Sequence, residues 1–336
     1  MSLEVVWFVI VGFFWTGFFV LEGFDFGVGM LHQSVGRTEA ERRAAVGSVG
    51  PLWDGNEVWL VVGGASIFAA FPAWYATWFS AGYLAMMLLL VALIVRGVSF
   101  EWRTKSDSER WRGTWSWTLT VGSALIPLVL GIAFGDLLAG LPIDGDEQFT
   151  GSFWDLFTPY GVWMGLTLVI LSLLHGSTFL GLRTAGVVNE RARVTAGRLS
   201  WPAVAVVAVF AVWTVAISDG GGWRAAAAAV PVLGVLAAAM LLRGGREGWS
   251  FAGTAVAIGG TVAALFANLY PHVMISSTDP AYTLTVSGAA SSDYALKVMT
   301  VVAAVVTPLV LLYQGWSYWV FRARVSASPE AVEVGS

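Results

Sequence analysis

Trp53-Asp54-Gly55-Asn56-Glu57-Val58-Trp59 begins an apolar run that continues to Phe68, so two acids stand at the start of a segment suited to a membrane. A second apolar run contains another such pair, in Leu21-Glu22-Gly23-Phe24-Asp25-Phe26-Gly27. A carboxylate near the centre of a bilayer costs about 2.5–3.5 kcal/mol, so such acids are rare and are usually functional. The four acids are therefore the first candidates for a functional site.

The composition is that of an integral membrane protein. Of the 336 residues, 57% are hydrophobic and only 12% are charged, whereas soluble domains contain about 25% charged residues. The chain has no Cys, which excludes thiolate metal sites and iron–sulfur clusters. Its basic residues are scattered over short segments, which does not support nucleic-acid binding.

The apolar runs predict an all-α, polytopic protein, because a helix needs about 20 apolar residues to cross the bilayer core. We count nine transmembrane helices in one integral membrane domain, 1–336. They suggest two four-helix bundles plus one extra helix. The predicted spans are 5–31, 52–71, 74–97, 117–138, 159–182, 200–217, 225–242, 251–271 and 296–321.

Basic residues predict the orientation. Of the 18 Lys and Arg, 16 lie after odd-numbered spans, in segments 37–43, 96–112, 183–198, 243–246 and 322–324. The other side has only Arg224 and Lys297. Because basic residues concentrate on the cytoplasmic side, we expect the N-terminus outside and the C-terminus in the cytoplasm.

Each acid pair is spaced by three residues, which places both carboxyls on one face of a helix. Two close acids do not both ionise easily in a medium of low dielectric, so each pair suits proton transfer or pairing with a cation. A structural alternative is open for Asp54, which follows Pro51 and suits the first turn of a helix. Arg96 has two readings: a side chain that snorkels to the membrane surface, or a partner for Asp25 or a polar head group.

The three histidines, His32, His175 and His272, fall at different depths of the predicted spans. They do not form a pair at one level of the bilayer, so we expect no haem and no metal bound by this chain. Each is interpreted as a hydrogen-bonded residue between helices. Glycines such as Gly23 and Gly27 permit close helix contact.

Several motifs together resemble subunit II of the cytochrome bd quinol oxidases. They occur in order along nearly the whole chain, and their joint pattern is specific. The matching segments are Gly23-Phe24-Asp25-Phe26-Gly27-Val28-Gly29-Met30, Glu41-Arg42-Arg43, Trp53-Asp54-Gly55-Asn56-Glu57-Val58-Trp59-Leu60, Phe68-Ala69-Ala70-Phe71-Pro72, Arg110-Trp111-Arg112, Ile132-Ala133-Phe134-Gly135, Ser276-Ser277-Thr278 and Val298-Met299-Thr300.

The resemblance implies a haem-free subunit that pairs, in a bacterial cytoplasmic (inner) membrane, with a subunit I carrying haems b and d. That partner oxidises quinol and reduces oxygen to water with protons from the cytoplasm. Small accessory subunits could also join the complex. Arg outnumbers Lys sixteen to two, which is typical of a GC-rich bacterial genome, and for such an origin we expect menaquinol.

The resemblance also implies residue roles. The acid matching Asp54 lies on a proton path in the family, and Glu57, one turn on, is assigned to the same path. Residues matching Asp25, Trp53 and Arg96 surround a bound quinone in some members, and Glu22 joins this polar cluster. A fourth position, an Asp in those members, is Ser116 here. The chain itself is expected to hold no catalytic group.

Two other functions are open to a membrane protein with these acids. A proton-coupled secondary transporter would use the membrane acids for coupling, but the inverted repeats typical of transporters are not evident. A purely structural membrane scaffold would tolerate neutralisation of all four acids.

Overall fold

The computed structural model describes residues 2–218 and 221–327, and these form an almost entirely helical protein. The ends of the predicted domain, Met1 and 328–336, lie outside the described residues. The all-α, multi-span architecture predicted from the sequence is confirmed. The helices are α1 (Leu3–Val35), α2 (Glu39–Gly47), α3 (Trp53–Ala70), α4 (Pro72–Ala81), α5 (Tyr83–Trp102), α6 (Glu109–Ala139), α7 (Pro159–Arg183), α8 (Val187–Ile217), α9 (Trp223–Arg243), α10 (Glu247–Leu269) and α11 (Asp293–Val320).

Within the described residues, eight helices are long and apolar enough to cross a membrane: α1 and α5 to α11. The predicted span 52–71 coincides with α3, whose 18 residues include Asp54 and Glu57 and which is not among the eight. The count of nine spans therefore stays a prediction, as do the two-bundle arrangement and the orientation of the termini.

The predicted third span, 74–97, is wrong in its bounds. The chain forms two helices there, because α4 ends at Ala81 and α5 begins at Tyr83. Gly82 separates them and its N–H donates to the carbonyl of Trp78 at 2.9 Å. Pro72 starts α4, as expected for a residue without an N–H in the first turn of a helix. The span's apolar pattern was continuous, so only the backbone geometry reveals the break.

The basic segment 183–198 is largely helical rather than a loop, since α8 begins at Val187. Ion pairs tie this end of the molecule together. Arg191 lies 2.7 Å from Glu41 of α2, and Arg103, which follows α5, lies 2.7 Å from Glu39 of the same short helix. The segments that carry most of the arginines therefore meet at one end of the helices.

α1 is the central helix, in contact with α3, α6, α7 and α10. It crosses α7 at glycines: a Cβ added to Gly27 would lie 2.0 Å from the carbonyl oxygen of Ser172 and 2.7 Å from the Cα of Gly176. Only glycine allows two backbones to approach so closely. This crossing fixes the position of the part of α1 that carries Glu22 and Asp25.

The end opposite the arginines is closed by the segments that connect α6 to α7 and α10 to α11. A short antiparallel pair, β1 (His272–Met274) and β2 (Leu284–Thr285), lies there. The N–H of Ile275 donates to the carbonyl of Leu137 at 3.0 Å, and the N–H of Leu141 returns to the carbonyl of Ile275 at 3.0 Å. These bonds attach the cap to the end of α6.

Candidate functional site

Arg96 is the centre of a buried polar cluster on α1, α3, α5 and α6. Its side chain is fully buried, so the reading that it snorkels to the membrane surface is wrong. The guanidinium Nη2 lies 2.6 Å from Oε1 of Glu22, and Nη1 lies 3.5 Å from Oε2 of Glu57. Nε donates to Ser123 Oγ at 3.2 Å. The arginine turns inwards because acids on two neighbouring helices face it.

Aromatic rings enclose the guanidinium. Its central carbon lies 4.9 Å from the centre of the Phe26 ring and 5.2 Å from that of Phe100. Trp53 stacks on Phe100, with its ring centre 4.8 Å from that of Phe100. Apolar walls strengthen the attraction between unlike charges by excluding water, so the cluster is held in one arrangement.

Asp25 is bound by Asn56, which the sequence motifs include without indicating a role for it. Asn56 Nδ2 donates to Asp25 Oδ2 at 2.6 Å, while its Oδ1 accepts from Gln314 Nε2 at 2.8 Å and from Tyr318 Oη at 2.9 Å. One amide therefore links α1, α3 and α11. The sequence signal for this role was the position of Asn56 at the centre of Trp53–Trp59, between Asp54 and Glu57.

Charge within the cluster is unbalanced, because three carboxyls, those of Glu22, Asp25 and Glu57, accompany one guanidinium. Oε2 of Glu22 and Oδ1 of Asp25 are among the buried side-chain atoms without a hydrogen-bond partner in the described chain. Buried polar atoms normally have partners. The cluster can therefore accept a proton, or a ligand that offers polar atoms.

Asp54 lies apart from this cluster although it shares a helix with Glu57. It is exposed in the first turn of α3, whereas Glu57 is mostly buried and faces Arg96. Within the described residues Asp54 makes no ion pair or hydrogen bond through its side chain. The two acids are close enough for their charges to interact. The structure thus separates the pair into an inner and an outer carboxyl.

Ser116 lies outside the Arg96 cluster. Its Oγ accepts a hydrogen bond from Nε of Arg103 at 2.8 Å, and the same guanidinium pairs with Glu39. The predicted polar residues therefore fall into two groups. Glu22, Asp25, Arg96 and Trp53 lie together, whereas Ser116 binds Arg103, which is nearer the Arg-rich end.

Two of the three histidines have ordinary polar neighbours, whereas the interpretation of His272 as a hydrogen-bonded residue between helices is wrong in the described chain. His32 Nδ1 lies 2.7 Å from the carbonyl oxygen of Gly29, and His175 Nδ1 lies 2.6 Å from Thr254 Oγ1. His272 is on β1, and its Nδ1 has no hydrogen-bond partner in the described chain. In residues 2–218 and 221–327, no group of three or more His, Cys, Asp or Glu could hold a metal ion.

Comparison with known proteins identifies the family. The family model of cytochrome bd terminal oxidase subunit II matches residues 3–321. The chain is 42% identical to cytochrome bd ubiquinol oxidase subunit 2 of Bacillus subtilis (strain 168), over 97% of each chain. It is 36% identical to cytochrome bd-I ubiquinol oxidase subunit 2 of Escherichia coli (strain K12), over 96% of this chain and 95% of that protein.

A solved structure shares the fold. A chain of the bd oxidase from Geobacillus thermodenitrificans matches with a TM-score of 0.74 at 19% identity, over 95% of this chain and 97% of that one. Together the matches define the class of protein, a subunit of a membrane-embedded terminal oxidase that uses quinol. Within that class, the chain belongs to the cytochrome bd terminal oxidase subunit II family. The resemblance found in the sequence motifs is confirmed.

Proposed function

We propose that this chain is the haem-free subunit of a quinol:oxygen oxidoreductase in a bacterial cytoplasmic membrane. It supports a haem-bearing subunit I and supplies part of a proton path from the cytoplasm. The observation that carries the proposal is the placement of three carboxyls around Arg96, one helical turn inside the exposed Asp54. Haems b and d, and the oxidation of menaquinol, are assigned to the partner.

In this path Asp54 is the entry carboxyl. It stands at the end of α3 that follows the basic segment 37–43, the side from which an oxidase takes protons. Glu57 lies 3.5 Å from Arg96 and adjusts the electrostatic environment of Asp54. An exposed carboxylate beside lipid would be costly, so we infer that the partner subunit, or water at their interface, covers Asp54.

Helix α11 supports the presence of a partner. Among its 28 described residues only Leu296 is buried, and a stripe of apolar side chains is exposed along it. The stripe is formed by Val301, Val305, Leu309, Leu312 and Trp316. Since α11 adjoins α3 through Asn56, a subunit I packed on this side would also cover Asp54.

The test compares Asp54→Asn with the matched control Asp107→Asn, which changes an exposed acid near the same end of the molecule. We expect quinol-driven oxygen uptake to fall roughly 100-fold in the first variant, the size of a lost proton-transfer group, and to be unchanged in the control. The far-red haem d band of the purified complex checks assembly. Unchanged turnover would remove the proton role, and loss of the band would favour a structural one.

A structural quinone is a second candidate, favoured by a cavity. About 650 Å³ of apolar space lies among α3, α4 and α5. It reaches Leu60, one turn from Glu57, and Leu93, one turn from Arg96. The Arg96 guanidinium, which also pairs with Glu22, is a cationic hydrogen-bond donor of the kind that a quinone carbonyl would need, and the cavity suits an isoprenoid tail. Arg96, Trp53 and Asp25 would hold the head group.

Gly64→Leu tests this candidate, because no atom lies within 4 Å of a Cβ added at Gly64 and the side chain would enter the cavity. We expect organic extraction to recover one quinone fewer per complex. Gly113→Leu, equally open but distant from the cavity, is the control. Equal quinone content in both variants would contradict the candidate.

A further inference from the structure

A second cavity lies between α8 and α9 at the Arg-rich end, and the proposed function does not use it. Its volume is about 260 Å³, and residues 193–200 of α8 and 239–243 of α9 line it. Arg193 of α8 and Arg243 of α9 both line the cavity. No atom lies within 4 Å of a Cβ added at Gly197, so there is free space beside this residue.

The charge around this cavity is strongly positive. Arg193 Nε lies 3.1 Å from Oε1 of Glu247, and the same carboxylate is shared with Arg324 at 3.4 Å. Arg243 makes no ion pair in the described chain, and its guanidinium lies 5.0 Å from the centre of the Trp201 ring. Glu247 thus pairs with two of the three arginines and leaves Arg243 without a counter-ion in the described chain, so the cavity is complementary to an anion.

The surroundings indicate that the anion belongs to a lipid. Val194, Trp201 and Met240, beside the cavity, are 54%, 47% and 63% exposed. Apolar side chains at that exposure suit acyl chains, whereas a free anion would need none. Basic pockets between membrane helices near the cytoplasmic face are typical binding sites for anionic head groups.

We propose that this cavity binds the head group of an anionic phospholipid, with Arg243 and Arg193 on the phosphodiester and Trp201 at the level of the membrane interface. The site lies on α8 and α9, away from the Arg96 cluster on α1, α3, α5 and α6. It would fix the subunit's depth in the bilayer independently of proton transfer.

The test uses the intact delipidated complex, titrated with phosphatidylglycerol or with phosphatidylcholine of the same acyl chains, and native mass spectrometry to count bound lipid. We expect Arg243→Gln to weaken phosphatidylglycerol binding about fivefold, the contribution of one arginine near a charged surface, and Gly197→Leu to weaken it by filling the cavity. Phosphatidylcholine binding should not change. The controls are Arg198→Gln, an exposed arginine on α8, and Gly113→Leu.

Three results would overturn the proposal. They are equal binding of the two lipids by the unmodified complex, equal binding of phosphatidylglycerol by variants and controls, and displacement of the lipid by inorganic phosphate at equal concentration. Gly197→Leu keeps every charge and removes the space, whereas Arg243→Gln keeps the space and removes one charge. If the leucine variant does not assemble, the glutamine variant carries the test, since Arg243 makes no side-chain hydrogen bond or ion pair in the described chain and its ring contact is with Trp201.

Discussion

Helices α1 and α11 are both long and apolar, yet they occupy opposite kinds of environment. Nineteen of the 33 residues of α1 are buried, whereas in α11 Leu296 is the single buried one among 28. α1 contains glycines at its crossing with α7 and two buried acids. α11 is held at one end by Trp7, which donates to Leu296 and Thr300, and at the other by bonds to Asn56.

The difference shows that apolarity decides whether a helix enters the membrane but not which face meets protein. In lipid there is no hydrophobic gain from packing apolar helices together, so close contact depends on small residues and hydrogen bonds. α1 has both along its length, whereas the hydrogen bonds that α11 makes to other helices lie only towards its ends. The variants below test whether α1 is fixed by its buried polar and small residues and α11 by single bonds.

The largest effect is expected for Arg96→Leu, which leaves Glu22 buried without its cation. Breaking a buried ion pair by removing one partner costs about 3–5 kcal/mol. We expect a large fall in the thermal unfolding midpoint of the complex, and the double variant Glu22→Gln/Arg96→Leu should recover much of it. Arg198→Leu, at an exposed site, is the control. A loss no greater than the control's would mean that the pair does not fix α1.

A smaller effect is expected for Gly27→Ala at the α1–α7 crossing. The new Cβ would meet Ser172 at 2.0 Å, and overpacking of this kind costs about 1–3 kcal/mol. Gly64→Ala is matched, since its Cβ meets no atom within 4 Å. The measurement is again the thermal midpoint of the complex. Equal midpoints for the two variants would show that the helices separate without cost.

Tyr318→Phe addresses α11. It removes only the hydroxyl that donates to Asn56 at 2.9 Å, so we expect a loss of about 0.5–1.5 kcal/mol. Hydrogen exchange should become faster in the second half of α11 and stay unchanged in α1. Tyr313→Phe, at a side chain that is 64% exposed, should change neither. Faster exchange in both helices would contradict the idea of an independently attached α11.

The smallest effect is expected at Glu41, outside the membrane segments. The backbone N–H groups of Arg37 and Thr38 and the guanidinium of Arg191 lower the pKa of this carboxyl from its ordinary value. Its contribution to stability is therefore present above that ordinary value, about 4.3, and is lost as the pH falls through the lowered pKa. Glu41→Gln should lower the thermal midpoint slightly at pH 7 and leave it unchanged at a pH below the lowered pKa of Glu41. Glu101→Gln, at an exposed acid, should show no such difference.

Much of the candidate site was predictable, but its connections were not. The cost of an acid in lipid drew attention to Glu22, Asp25, Asp54 and Glu57, and family motifs added Arg96 and Trp53. For Arg96 two readings stayed open, because its position near the end of a predicted span also fits a snorkelling side chain. Asn56 was missed as a link because its partners lie 31 and more than 250 residues away.

The sequence by itself determined the class of protein, the approximate places of most long helices, the end at which the arginines gather and the family. These depend on composition and on periodicity within one segment. Only the tertiary structure decided that helix formation breaks at Gly82, that Arg96 faces inwards and that Asp54 and Glu57 lie in different environments. Those features depend on which helices are neighbours, and in a chain that is apolar almost throughout, neighbours are chosen by a few small and polar residues rather than by hydrophobicity.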